Sequence, residues 1–195
     1  MLTFLARCWL KLWRWTAIPP PAPVPGRCVM IAAPHTTNWD FPITLAMARV
    51  SGVKISWLGK DSLFKGPMGP VMRRLGGVAI DRRAPGGMVS SLAHELTTRD
   101  HLVLVVPAEG TRSRTEYWKS GFYRIAQQAQ VPVLLGYVDK STRSGGFGPA
   151  VPITGDVRAD MDVIRAFYAG KTGLKKDRVG PVRLREEDDV PTETA

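Results

Sequence analysis

CVMIAAPHTTNWDF, residues 28–41, runs from six consecutive apolar residues through a short polar turn and back to an aromatic. A continuous apolar run of this length suits a strand covered on both faces, as in a parallel sheet sandwiched by helices. The polar residues that follow start a helix. Thr36, Thr37 and Asn38 are good N-cap types, and Asp40 suits the positive end of a first helical turn. The same alternation recurs outward along the chain. Short apolar runs at Lys54–Leu58, Gly77–Ile80, Leu102–Val106 and Val131–Val138 read as further strands. Between them lie helical patterns at Gly66–Leu75, Met88–Thr98, Phe122–Gln130 and Asp160–Ala169. The Met88–Thr98 pattern is the clearest, with Met88, Val89, Leu92, Ala93 and Leu96 on one face. The expected fold class is α/β, a mostly parallel sheet sandwiched by helices. At 195 residues and 44% apolar content, one core is expected, spanning residues 28–185.

Upstream, residues 1–18 carry no acidic side chain and are too short and interrupted to span a bilayer. Thr3, Arg7, Lys11 and Arg14 share one stripe of a helical wheel, while Leu2, Leu5, Trp9, Leu12, Trp13 and Trp15 cover much of the rest. That is the pattern of an amphipathic helix lying in a membrane interface; docking onto the core is the alternative. Residues 19–27, beginning PPPAPVPG, form a stiff spacer. No small-residue cleavage site follows the apolar run, so a signal peptide is not expected. At the other end, residues 186–195 are acidic and poor in large apolar side chains, which predicts a flexible tail. Cys8 and Cys28 show neither a disulfide framework nor zinc-ligand spacing; two free, mostly buried thiols and no metal site are expected.

The net charge of +10 is uneven: residues 1–120 hold 16 basic against 7 acidic side chains, and the remainder 11 against 10. Such a surplus favours phosphate-bearing partners, whether nucleic acid, an anionic membrane or a phosphorylated substrate. Aromatics do not alternate with the cations of residues 60–114 as a single-strand nucleic-acid platform requires, so no nucleic-acid partner is expected.

In open parallel sheets ligands bind beyond the carboxyl ends of the strands. His35 follows the first run, Asp81 and Arg82 the third, and Glu109–Ser113 the fourth, so three polar clusters share one rim. Asp40 can fold back onto one imidazole nitrogen of His35 and leave the other for substrate, which makes a general base. No nucleophile elbow, P-loop or cysteine–histidine pair accompanies it. The attacking group is therefore expected to be the substrate's own hydroxyl, and arginine forks on the same rim suit a phosphate.

Four ordered blocks make the chain resemble the glycerolipid acyltransferases typified by 1-acyl-glycerol-3-phosphate acyltransferase, over residues 28–139. His-x4-Asp matches His35 and Asp40. A Gly-rich strand ending Ile-Asp-Arg matches Gly77–Arg82, Glu-Gly-Thr-Arg-Ser matches Glu109–Ser113, and Val-Pro-Val matches Val131–Val133. Pro34, Ala108 and Gly136 depart from the family's usual residues. The resemblance implies acyl transfer from a thioester, acyl-CoA or acyl-carrier protein, to a hydroxyl of a lysophospholipid, most simply 1-acyl-glycerol 3-phosphate, in phospholipid biosynthesis. It implies no cofactor. His35 and Asp40 would be catalytic. Lys60, Arg82 and Arg112 would hold the acceptor phosphate, and Glu109 would orient an arginine or a substrate hydroxyl. The backbone at Gly110 and Thr111 is a candidate oxyanion donor. The expected location is the cytoplasmic face of an anionic membrane, as a peripheral protein. Another lysolipid or glycolipid acceptor stays open, as does a non-catalytic basic membrane-binding module.

Overall fold

The computed structural model describes residues 2–59, 61–79 and 87–188. Its elements are α1 (Leu2–Leu12), β1 (Thr16–Ile18), β2 (Arg27–Ala32), α2 (Asp40–Val50), β3 (Ile55–Gly59), α3 (Gly69–Arg74), β4 (Gly77–Ala79), α4 (Gly87–Thr98), β5 (Leu102–Val106), α5 (Gly121–Ala129), β6 (Val133–Asp139), β7 (Ser144–Val151) and α6 (Val157–Tyr168). Among the described residues they build one sheet in the order β1-β7-β6-β2-β5-β3-β4. From β6 to β4 every neighbouring pair is parallel, so the expected α/β sandwich is present.

The central strand shows why. Val29, Ile31 and Ala33 point into a core shared with Leu92 and Leu96 of α4, Phe122 and Ala126 of α5, and Met161 and Ile164 of α6. Cys28 and Met30, on alternate positions, point to the opposite face, against Ala48 of α2 and Ile55 and Trp57 of β3. With both faces covered, no position of β2 after the exposed Arg27 can be polar, which is why the run from Cys28 is unbroken. Burial pushes the Cys28 thiol up to about 12.

Two strands lie outside the expected set. β7 runs antiparallel to β6, and β1 adds parallel to β7 through Thr16↔Ser144. SGGFGPAV is too rich in glycine to signal a strand by propensity; hydrogen bonding to β6 holds it instead. β6 also explains Gly136. A Cβ there would lie 2.2 Å from the Met30 side chain and 2.9 Å from the Ile31 carbonyl, so the approach to β2 leaves no room for a larger residue.

The ends of the chain correct four expectations. The N-terminal helix stops at Leu12 rather than at residue 18, and Thr16–Ile18 is a strand. Helix α1 is also partly a core element: Leu10 is buried, and Trp9 and Trp15 sit beside Ile43 and Met47 of α2. Cys8 is exposed, not buried. The acidic tail begins by docking. Glu186 accepts from Arg124 at 2.8 Å, Glu187 accepts from Arg165, and Tyr117 donates to Asp188 at 2.6 Å. The remainder of that tail, residues 189–195, lies outside the described residues.

Candidate active site

Strands β2 and β5 are neighbours, and their carboxyl ends bring residues 33–40 and 107–113 together. Asp40, the first residue of α2, organises the turn before it. Its Oδ2 accepts the N–H groups of Thr36 at 2.6 Å and Thr37 at 2.7 Å, so a helix-start carboxylate satisfies donors that the turn would leave unpaired. The same oxygen lies 3.1 Å from His35 Nδ1. A buried carboxylate at that distance accepts a hydrogen bond from Nδ1–H, the tautomer that leaves Nε2 with its lone pair. Asp40 is buried, whereas the His35 side chain keeps a quarter of its surface exposed.

Glu109 locks this turn to β5. Its Oε1 accepts the His35 N–H at 2.9 Å, while buried Oε2 has no hydrogen-bond partner among the described residues. Desolvation raises the Glu109 carboxyl above its ordinary value, with the His35 N–H pulling the other way. Glu109 therefore positions the backbone of His35, and among the described residues it has no ion pair with an arginine. Gly110 turns in the left-handed region at φ +67°, and a Cβ there would come within 2.8 Å of Lys119. Its N–H donates to the Pro107 carbonyl at 3.2 Å, which removes that amide from the oxyanion candidates. Thr111 Oγ1 accepts from the Ser113 N–H at 3.3 Å. Arg112 Nη1 donates to Asn38 Oδ1, joining the second loop to the first.

His35 and Asp40, with Asn38 and Thr44, line a cleft of about 410 Å³ whose other walls are mainly apolar, among them Phe41, Trp57, Leu58, Val105, Tyr137 and Val138. Phe41 meets Trp57 edge to face at 4.9 Å between ring centroids, and the Trp57 indole donates to the Leu75 carbonyl at 2.9 Å. A base at the mouth of an apolar cleft can bring a polar hydroxyl to a carbonyl carrying a hydrocarbon chain.

His35, Asp40, Glu109, Gly110, Thr111 and Arg112 thus share the rim. Lys60 and Arg82 lie outside the described residues. The four residues that sequence reasoning missed are Asn38, which holds Arg112; Thr36, which is buried; and Lys175 and Arg178, brought to the rim from beyond α6. Asn38 and Thr36 were visible only as cap types. Nothing in the pattern around Lys175 and Arg178 ties them to His35. No group of three or more His, Cys, Asp or Glu side chains is placed to hold a metal among the described residues.

Residues 20–134 match the family model described as Acyltransferase. In structure the chain is similar to the 1-acyl-sn-glycerophosphate (LPA) acyltransferase PlsC from Thermotoga maritima, with a TM-score of 0.56 and 17% sequence identity over 85% of this chain and 76% of that one. At that identity the likeness is one of fold. No curated protein sequence matches the chain.

Proposed function

Since the chain belongs to the acyltransferase family, we propose that it moves a fatty acyl group from acyl-CoA or acyl-carrier protein to a hydroxyl of a lysophospholipid, 1-acyl-glycerol 3-phosphate in the first place. The observation that carries this reading is the 3.1 Å His35–Asp40 contact at the mouth of an apolar cleft. Nε2 of His35 takes the proton of the acceptor hydroxyl as its oxygen attacks the thioester carbonyl. The tetrahedral intermediate then collapses, the carbon–sulfur bond breaks, and the leaving thiolate receives the proton from the imidazolium. Asp40 holds the ring and stabilises its cationic form during the step. The ester oxygen comes from the acceptor, so the reaction needs no acyl-enzyme and no bound cofactor.

Attachment to a membrane from its cytoplasmic side fits a lipid acceptor. No helix among the described residues is long and apolar enough to cross a bilayer. Exposed Leu2, Phe4, Leu5, Leu12 and Trp13, with Arg7 and Lys11 on the same helix, suit a peripheral seat on anionic lipid.

Free-thiol release from acyl-CoA or acyl-carrier protein tests the reading, with lysophosphatidic acid, glycerol 3-phosphate and neutral or zwitterionic lysolipids compared as acceptors. Acceptor-dependent release that is largest with lysophosphatidic acid is expected. His35→Ala should lower turnover by roughly 100-fold or more while leaving the unfolding midpoint in place. A folded His35→Ala protein that turns over normally would overturn the mechanism.

A further inference from the structure

A second pocket, about 430 Å³, opens on the same turn and shares Asn38 with the apolar cleft. Its charged lining is Arg112, Lys175 and Arg178, and no acidic side chain lines it. Among the described residues none of these three cations has an ion pair. Arg112 belongs to the segment the family model covers; Lys175 and Arg178 do not, since that match ends at residue 134.

The segment after α6 is held to the His35 turn by specific contacts. Thr36 Oγ1 accepts the N–H groups of Leu174 at 3.1 Å and Lys175 at 3.2 Å, and Arg178 Nη1 donates to the Thr36 carbonyl at 3.2 Å. Gly173 turns at φ +60°, where a Cβ would lie 3.1 Å from Thr36 and 3.2 Å from Pro34. Two cations are thereby anchored to the residue next to the base. Three like charges gathered in a concavity repel one another unless an anion joins them, and guanidinium and ammonium groups together suit a phosphate. Because Asn38 lines both cavities, an acceptor with its hydroxyl at His35 Nε2 can extend its anionic end across Asn38 into this pocket.

We infer that Lys175 and Arg178, together with Arg112, seat the phosphate of the acceptor, so that the segment following α6 selects phosphorylated over unphosphorylated lysolipids. The inference rests on the proposed acyl transfer. The coenzyme of an acyl-CoA donor also carries phosphates, and anionic headgroups of a membrane would attract the same cations; the experiment separates these sources.

Lys175 is exposed and has no hydrogen bond through its side chain among the described residues, so Lys175→Glu should fold. In that variant KM for a short-chain, soluble lysophosphatidic acid should rise by about tenfold or more, with Arg178→Ala acting in the same direction. KM for the acyl donor and turnover of the matching monoacylglycerol should stay within about twofold of wild type. A donor KM that rises instead assigns the pocket to the coenzyme and overturns the inference. So does an equal loss on both acceptors, or an unchanged KM accompanied by lost binding to anionic vesicles. Calorimetric titration with glycerol 3-phosphate reads the same seat without turnover. Binding by wild type that is lost in Lys175→Glu supports the seat, and no binding by wild type, or equal binding by both, overturns it. Failure of acyl transfer itself shows separately, as absence of acceptor-dependent thiol release by wild type.

Discussion

Against one face of the sheet, α4, α5 and α6 bring Leu96, Phe122, Met161 and Ile164 to zero exposure. Against the other, α1, α2 and α3 cover the strands but leave much apolar surface outside: Phe4 is 69% exposed, Leu12 79%, Trp13 58% and Trp39 66%. Of the large hydrophobic side chains exposed among the described residues, only Met88 and Val163 belong to the first face. Both faces began from the same alternating strands, so the sheet does not cause the difference. The helices do. Helix α5 puts Phe122, Ile125, Ala126 and Ala129 inward, whereas α1 is apolar on more of its circumference than the sheet can cover. One face is finished for stability, and the other retains apolar surface that suits lipid, part of it, at Phe41, lining the cleft beside His35.

Breaking the stable face should have the largest effect. Phe122→Ala is expected to cost about 3–5 kcal/mol, because a ring with no exposed surface leaves a cavity between α5, Trp118 and Tyr123. Urea denaturation measures this directly, and a loss below about 1 kcal/mol would mean that this face is less closely filled than its burial indicates.

Glu109 stands between the two faces, and its effect should be smaller and dependent on pH. Burial raises its carboxyl, so the fold favours the protonated form. Its contribution is fully present below the carboxyl's unfolded range and is lost as pH rises through the folded value. Glu109→Gln keeps a carbonyl oxygen for the His35 N–H and removes the charge, so its stability relative to wild type should increase with pH. Urea midpoints for both proteins at about pH 5 and about pH 8 give the comparison. A difference that does not change with pH would show that Oε2 is better solvated than its surroundings suggest.

The smallest stability effect belongs to the open face. Leu12→Ser with Trp13→Ser should shift unfolding by no more than about 0.5 kcal/mol each, as expected of exposed positions. Sedimentation with anionic liposomes should nevertheless fall clearly, and added salt should weaken the wild-type attachment only in part. Unchanged sedimentation would move the lipid contact away from α1.

The His35–Asp40 pair was legible because it is local: one strand end and one helix start bring residues five positions apart into contact. Glu109 was legible as a rim residue but not in its role, because the N–H it accepts lies 74 residues away. Lys175 was not legible at all. It reaches the rim through a hydroxyl at Thr36, 139 residues distant, and a threonine before a helix looks the same whether it caps or clamps.

The sequence by itself determined the β2-to-β6 alternation, the sandwiching of the parallel strands and the His35–Asp40 pair after β2. Each of these follows from apolar runs and turn residues that act over a few positions. Only the tertiary structure decided that SGGFGPAV becomes β7, that Thr16–Ile18 ends the N-terminal helix early by joining it, and that Glu186–Asp188 dock instead of trailing. These segments have weak preferences of their own, and the partner strand, guanidinium or phenol that fixes each one comes from a distant part of the chain.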